Sequence, residues 1–350
     1  MATAFADLAQ SQAEATDALV RSDAPGTSAH ETAPKPESKK PGEQGTALQA
    51  FLGRFGKPLL APMLGILAFL GLWAVLAPQV DTSLGALPGP VEVAEQGVTL
   101  FEEWQASQEA KAEFEAAQQS RIEAGTQAQV FEYSGPPTFL DQVFTSLETV
   151  ALGFILATVF AVPIGLACGL SPTLNAAINP LVQIMKPVSP LAWLPIVTMV
   201  VSATITSADP MLAKSFVISA IVVMLCSLWP TLINTAVGTA SIDKDLLNVG
   251  RVLRLGWFAK LTRLVLPSSL PYIFTGMRLS LGVGWMVLIA AEMLAQNPGL
   301  GKFVWDEFQN GSSQSLARIM FAVIVIGLIG FLLDRMMMGL QALANRNHTV

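Results

Sequence analysis

Six long apolar segments dominate this sequence and limit the folds that it can adopt. Each has about the 20 residues that an α-helix needs to cross the hydrocarbon core of a bilayer. Only 13% of the 350 residues are charged, against roughly 25% in a soluble domain. The sequence therefore predicts an all-α polytopic membrane protein with six transmembrane helices. The segments cover approximately residues 59–78, 143–170, 177–201, 212–237, 272–294 and 316–340.

The third segment is the least regular of the six. It contains Lys186 and four prolines, Pro180, Pro187, Pro190 and Pro195. Proline is tolerated in a membrane helix where neighbouring protein or water supplies partners for the freed carbonyl groups. We therefore expect a kinked helix that faces the interior of the bundle, with the ammonium group of Lys186 reaching the cytoplasmic side.

The distribution of charge predicts the orientation of the chain in the membrane. Arg54 and Lys57 precede the first apolar segment, and no basic residue follows it until Lys111. Because basic flanks stay in the cytoplasm, the amino terminus is expected there. Counting segments then places residues 241–271 and the carboxyl terminus in the cytoplasm as well. Residues 79–138, with ten acidic and two basic residues, fall in the periplasm.

The remaining sequence divides into tails and one outer segment. Residues 1–57 are polar and rich in Pro, Ser, Lys, Glu and Gly, which predicts a disordered cytoplasmic tail. A first transmembrane helix at 59–78 and a periplasmic segment at 79–138 follow. Within that segment, residues 99–124 are strong helix formers and predict a mostly solvated helix. Residues 337–350 are expected to form a second cytoplasmic tail.

Residue types that commonly carry catalysis are scarce. His30 and His348 lie in the polar tails, while Cys168 and Cys226 lie in apolar segments, where thiols usually pack. The sequence from Gly299 to Lys302 is only superficially like a phosphate loop, because it lacks the earlier glycine and the Ser or Thr after the lysine. We predict no catalytic residue, no metal or cofactor in this chain, and no nucleic-acid binding.

A basic, amphipathic stretch at residues 241–271 separates two apolar segments. Its four central cations would each cost about 3 kcal/mol at the middle of a membrane, so the stretch is expected to lie on the membrane surface. These cations are Arg251, Arg254, Lys260 and Arg263.

Local signals within this stretch predict a pair of short helices. Ser241 is expected to cap the first helix, and Gly256 to allow the chain to reverse. The second helix is expected over residues 257–266, with Pro267 and Pro271 ending it. Apolar side chains at the turn would then be available to a groove on a partner protein. The alternative is a simple amphipathic connector. The turn residues concerned are Leu255, Trp257 and Phe258.

The basic stretch and several other segments of the sequence resemble those of a known protein family. The stretch is similar to the cytoplasmic coupling loop of ABC importer permeases of the type I transmembrane class, which follows the third of five core spans. The resemblance extends over residues 141–340 and is closest to the nitrate/sulfonate/taurine group, particularly its nitrate branch. The segments that carry it are 186–195, 266–278, 290–293 and 330–335 for the group, and 248–255 and 302–307 for the branch.

The resemblance implies a five-helix core at residues 142–336 and several partners. These are cytosolic ABC ATPase subunits that hold ATP and Mg²⁺, a periplasmic substrate-binding protein, a second permease copy in a homodimer, and membrane lipid. One departure is that Arg254 stands where the general coupling-loop pattern has a glycine. The residues expected to couple to the ATPase are Asn248, Gly250, Arg251, Arg254, Leu255, Gly256 and Trp257.

The implied cargo is a small inorganic anion, nitrate first and nitrite with it. Sulfonate or taurine, cyanate and bicarbonate remain alternatives within the family. A secondary carrier or channel without an ATPase is the alternative outside it. The chain itself is expected to be a non-catalytic subunit.

Four residues within the apolar segments are candidates for the translocation path: Ser189, Trp193, Trp285 and Glu292. Hydroxyl and indole N–H groups can donate to an anion. A carboxylate such as Glu292 would repel it, so the alternative for this residue is a structural ion pair with Arg278 or Lys214.

Small residues recur at steps of four in two of the segments. Gly276, Ser280 and Gly284 share one helix face, as do Gly165 and Gly169. Small residues allow membrane helices to approach closely. We expect tight packing within the subunit, and a homodimer interface is the alternative.

Overall fold

The computed structural model describes residues 47–82, 85–125, 130–131, 133–206 and 213–346. The chain divides into two units, residues 1–63 and 64–350. The described part of the first unit is the beginning of helix α1 (Ala47–Leu76). This helix starts inside the stretch expected to be disordered up to residue 57, where Ala, Leu and Gln are good helix formers. The rest of that tail, residues 1–46, lies outside the described residues.

A short 3-10 helix (Ala77–Gln79) and a two-stranded antiparallel hairpin lead to the outer helix. The strands are β1 (Asp81–Thr82) and β2 (Gly85–Ala86). Helix α2 (Pro90–Glu123) then begins well before the expected residue 99, because the Glu92 carboxylate accepts a hydrogen bond from the Gly89 amide at 2.9 Å.

The remaining elements are all helical. They are α3 (Phe139–Leu170), α4 (Pro172–Met185), α5 (Pro190–Thr204), α6 (Lys214–Ala240), α7 (Lys244–Val252), α8 (Trp257–Lys260), a π-helix (Leu261–Val265), α9 (Leu266–Ala295), α10 (Leu300–Asn310) and α11 (Ser313–Arg346). Five candidate membrane spans occur in the described residues, within α1, α3, α6, the α8–α9 helix and α11, and α4 with α5 can supply a sixth. The all-helical polytopic architecture is thus confirmed. Helix α11 continues through most of the expected tail at 337–350.

The third apolar segment is not one kinked helix, as expected, but two helices bent by 101°. Pro190 disfavours helical geometry in Ser189, which is extended with a ψ of 139°. The Ser189 hydroxyl also caps α5 by accepting from the Leu191 amide at 3.3 Å. Each helix is too short to cross a bilayer alone, because a crossing needs about 20 residues.

Helix α6 packs along both α3 and α9, and small residues make this possible. A side chain at Gly165 would collide with Thr235 and the carbonyl of Leu232, and one at Gly276 would collide with α6 at Thr231. The small-residue faces noted in the sequence therefore pack within the subunit. The Ser280 hydroxyl adds a hydrogen bond from the Thr231 amide at 3.0 Å.

Candidate functional site

The basic stretch folds as the α7–α8 hairpin, residues 243–260, which connects α6 to α9. Asp243 begins it, because its carboxylate accepts from the Asp245 amide at 2.9 Å. The expectation that Ser241 caps this helix is wrong: Ser241 ends α6, and its hydroxyl donates to the carbonyl of Gly238 at 3.0 Å. A carboxylate at the amino end of α7 also interacts favourably with the helix dipole.

The chain reverses at Arg254 and not at Gly256. Arg254 has a φ of 48°, in the left-handed region, and the Leu255 amide reaches back to the carbonyl of Gly250 at 3.0 Å. Gly256 has φ −60° and ψ 160°, which any residue can adopt, and it caps α8. The reversal therefore falls on the position where the general coupling-loop pattern has glycine, the residue that adopts this geometry without strain.

The two prolines after the hairpin do not end its second helix, contrary to expectation. Residues 257–295 form one continuous run through α8, the π-helix and α9, which includes both Pro267 and Pro271. Pro267 lies inside this run, just after the π-helix (Leu261–Val265). The wider turn of the π-helix precedes it, and such turns relieve local interruptions in a helix.

Apolar contacts anchor the inner side of the hairpin to the core helices. Ile242 and Val265, which flank the hairpin, are buried in one cluster with Leu166 of α3 and Ile273 of α9, and Leu246 of α7 packs against this cluster. A β-carbon at Gly250 would lie 2.7 Å from Cδ1 of Leu264, so the leucine side chain would have to shift to admit it. The hairpin and the core helices are therefore expected to move together.

The outer side of the hairpin exposes large apolar side chains. Val252 is 81% exposed, and Trp257 and Phe258 are each 71% exposed. The side chains of Arg251 and Arg254 are exposed beside them, whereas Leu255 turns partly inward. A clustered apolar surface with a basic rim is typical of a protein-docking surface. Val252 was not among the turn residues expected from the sequence.

The resolved geometry separates the expected coupling residues into three groups. Arg251 and Asn248 are exposed and joined by a hydrogen bond of 3.2 Å from the guanidinium to the amide oxygen. Gly250 and Leu255 support the turn from inside. Trp257 lies at the exposed end, next to Phe258.

Glu292 lies fully buried near the end of α9. The Ser146 hydroxyl is 2.9 Å and 2.8 Å from its two carboxylate oxygens, and the Gly301 amide donates to Oε2 at 3.0 Å. The Ser146 hydroxyl in turn accepts from the Leu300 amide at 2.8 Å. The carboxylate thus sits at the amino end of α10, where the helix dipole favours negative charge.

This arrangement replaces the expected ion pair of Glu292. The expectation of a pair with Arg278 or Lys214 is wrong, because Ser146 and the α10 amides hold the carboxylate and Arg278 pairs elsewhere. Two glycines of the sequence that resembles a phosphate loop allow α10 to approach α9 closely. Gly299 packs directly on the Glu292 carboxyl group, and Gly301 packs on the carbonyl of Ile289. No β-carbon fits at either glycine.

The other candidates for the path are engaged within the chain. Trp285 is buried, and its indole N–H donates to the carbonyl of Ile326 at 3.0 Å. Ser189 caps α5, and Trp193 is half-buried on that helix. Trp285 also lines a cavity of about 230 Å³ with Arg278 and Asp334.

One ion pair between core helices was not foreseen. The Arg278 guanidinium of α9 binds both carboxylate oxygens of Asp334 of α11, with Nε at 2.5 Å from Oδ1 and Nη2 at 2.8 Å from Oδ2. Both residues lie inside candidate membrane spans. A base and an acid in separate apolar segments were the only available signal, and the sequence does not show which charges meet.

Comparisons with known proteins agree with this architecture. Residues 161–346 match the family described as binding-protein-dependent transport system inner membrane component. The nitrate import permease protein NrtB of Synechococcus elongatus is 37% identical over 195 residues, which cover 56% of this chain and 66% of the relative, just under two thirds of its length. The bicarbonate transport system permease protein CmpB of the same organism is 36% identical over 292 residues, 83% of this chain and 90% of the relative.

A solved structure has the same fold. The MetNI methionine ABC transporter in an inward-facing conformation is 12% identical with a TM-score of 0.50, and the match covers 59% of this chain and 95% of that chain. At this identity, the likeness concerns the fold alone.

Proposed function

The chain belongs to the family of binding-protein-dependent transport system inner membrane components, and on that premise we propose that it forms the translocation path of an importer for nitrate. It is an ABC importer permease of the group that includes nitrate and bicarbonate permeases, and it is a non-catalytic transmembrane subunit. ATP hydrolysis belongs to a separate subunit.

The exposed apolar end of the anchored α7–α8 hairpin is the observation that carries the proposal. A surface formed by Val252, Trp257 and Phe258 is unfavourable in water and suits a groove on a cytosolic ATPase subunit. Because Ile242 and Val265 fix the hairpin to α3 and α9, movement of that groove would be transmitted to the core. Transport follows if the delivery protein and the nucleotide bind the two conformations with different affinities.

The remaining parts of the assembly belong to the same proposal, with the orientation taken from the order of charges along the chain. The hairpin and both termini lie in the cytoplasm, and α2 lies in the periplasm, where a substrate-binding protein delivers the anion. A second copy of the chain completes the path within the lipid of a bacterial inner membrane. Labelling of a Lys260→Cys variant from the cytoplasmic side tests the orientation, and labelling from the periplasmic side alone would reverse it.

Purification of the assembled complex tests the coupling surface. Val252→Ser, Trp257→Ser and Phe258→Ser together should remove the ATPase subunit from the purified complex, because they remove the apolar contact. The matched control is Val91→Ser, Val98→Ser and Phe101→Ser, which changes exposed apolar residues of α2. Retention of a stoichiometric ATPase in the first variant would contradict the assignment.

Uptake into vesicles tests the cargo. Nitrate is proposed because segments 248–255 and 302–307 resemble the nitrate branch of the family. Bicarbonate is the second candidate because CmpB matches over most of its length. ATP-dependent, saturable uptake of ¹⁵N-nitrate by the complex with its binding protein is the expected result. Uptake of bicarbonate or taurine in its place would show that the importer has another cargo.

A further inference from the structure

A charged pair lies open on the surface of two membrane-spanning helices. The side chain of Arg278 in α9 is 38% exposed, and that of Asp334 in α11 is 35% exposed. Lipid hydrocarbon cannot solvate them, since a charge at the middle of a bilayer costs about 3 kcal/mol on insertion scales. The surface around this pair therefore faces water, the polar headgroups of the lipid or another protein.

The pair lines an open cleft along α9, about 540 Å³ in volume, to which α11 contributes Asp334. Thr275 and Gly282 form other parts of its wall, and the apolar residues of the wall are Leu279, Val283 and Met286. A second cavity of about 230 Å³ shares Arg278, Gly282 and Asp334 with it. Such a space is large enough for several water molecules and a small ion.

The hydrogen bonds of the Arg278 guanidinium indicate whether water or a dry protein contact surrounds it. In the part of the chain that the structure describes, Asp334 is its hydrogen-bond partner and takes two of the five N–H donors. A dry contact with a second copy would leave the other donors without partners, which is costly for a charged group. An aqueous cleft satisfies them.

We infer that this cleft is a water-filled part of the translocation path and that Arg278 binds the transported oxyanion in it. The inference rests on the proposed function and adds the residue that contacts the cargo. Water and an oxyanion would accept hydrogen bonds from the remaining N–H donors of Arg278. The geometry of these donors also indicates the class of anion.

A small planar oxyanion fits this site best. The guanidinium presents parallel donors that match two oxygens in one plane, as in nitrate or bicarbonate, whereas chloride offers no such edge. Asp334 offsets the charge of Arg278, so the anion is held weakly. Weak binding is what a path requires, because the ion must also leave.

Thiol labelling tests whether the cleft contains water. A β-carbon at Gly282 meets no atom within 4 Å, so Gly282→Cys fits in a complex whose Cys168 and Cys226 are replaced by Ala. A membrane-impermeant methanethiosulfonate reagent should label it at least about tenfold faster than Leu328→Cys, a control that is 55% exposed on α11 and does not line the cleft. Equal, slow labelling would overturn the inference.

The same variant tests anion binding without altering Arg278. Nitrate or bicarbonate at saturating concentration should slow the labelling of Gly282→Cys, and chloride should not. If no oxyanion slows it, the anion site is absent even where the complex imports nitrate. If the complex imports another anion that does slow it, the proposed cargo is wrong and the site remains.

Kinetics provide the second measurement. Arg278→Lys keeps the charge and loses the paired donors, so the KM for uptake of the cargo should rise about tenfold, the loss of roughly one charge-assisted hydrogen bond. The thermal stability of the complex should change little, because a lysine still pairs with Asp334. An unchanged KM would overturn the assignment of Arg278.

Discussion

Ser146 and Glu292 are joined by a buried hydrogen bond between α3 and α9, with the serine hydroxyl 2.8 Å from Oε2 and 2.9 Å from Oε1. The same hydroxyl accepts from the Leu300 amide at 2.8 Å. One serine and one carboxylate thus fix the amino end of α10 against both core helices. Such a junction suits the interior of a membrane protein, because each polar group supplies a hydrogen-bond partner to another that would otherwise be buried without one.

Loss of the carboxylate should therefore weaken the fold. Glu292→Ala leaves the Ser146 hydroxyl and the Gly301 amide without their partner, and each unsatisfied buried group costs about 1–3 kcal/mol. Glu292→Gln keeps an acceptor and should cost less. The apparent unfolding midpoint of the purified protein checks the order, and Glu148→Gln, an exposed residue of α3, is the control. Equal midpoints for Glu292→Ala and the control would contradict this junction.

Two glycine substitutions should have opposite effects. Gly301→Ala places a β-carbon against the carbonyl of Ile289 and 2.9 Å from Cβ of Glu292, so it should destabilise the protein by about 1–3 kcal/mol through overpacking. Gly282→Ala, in the open part of α9, should stabilise it by about 0.5–1 kcal/mol, because alanine favours a helix. Thermal unfolding of both variants measures the difference, and a stable Gly301→Ala would show that α10 can shift.

A glycine at the chain reversal should stabilise the hairpin. Arg254→Gly relieves the left-handed backbone, which costs a residue with a β-carbon roughly 1–2 kcal/mol. Arg251→Gly, within α7, should instead destabilise by about 1 kcal/mol. Hydrogen exchange of residues 244–260 compares the two variants directly. Faster exchange in Arg254→Gly than in the unmodified chain would place the strain elsewhere.

Removing the cap of α7 should loosen the same region. Asp243→Ala loses the acceptor for the Asp245 amide, and a lost helix cap costs about 1 kcal/mol. Ser241→Ala, two residues earlier, removes a hydroxyl that bonds at the end of α6 and should leave α7 intact. Exchange at the Asp245 amide is the measurement, and protection lost in Ser241→Ala but kept in Asp243→Ala would reverse the assignment.

Several local features were wrong in the sequence interpretation for one common reason. Ser241, Gly256 and the prolines after the hairpin carry signals that are correct on average for caps, turns and helix ends. A helix held by tertiary contacts can override them: Arg254 adopts the strained reversal because Leu264 and Gly250 pack beneath the turn, and the helix continues through Pro267 by way of a π-turn. Local propensity differs between alternatives by about 1 kcal/mol, which a few packed side chains exceed.

The sequence by itself determined that the chain is helical and crosses a membrane, where the basic hairpin falls, and to which family it is similar. The membrane helices and the position of the hairpin depend on the length of the apolar segments and on the order of charges along the chain, and neither requires contacts between distant residues. The family similarity depends on short segments of sequence. Only the tertiary structure decided that Glu292 meets Ser146 and α10, that Arg278 meets Asp334 beside a cleft, and that α4 and α5 are bent by 101°. These depend on which helix faces pack together, and the pairing of buried polar groups follows from that packing because each needs a partner at hydrogen-bond distance.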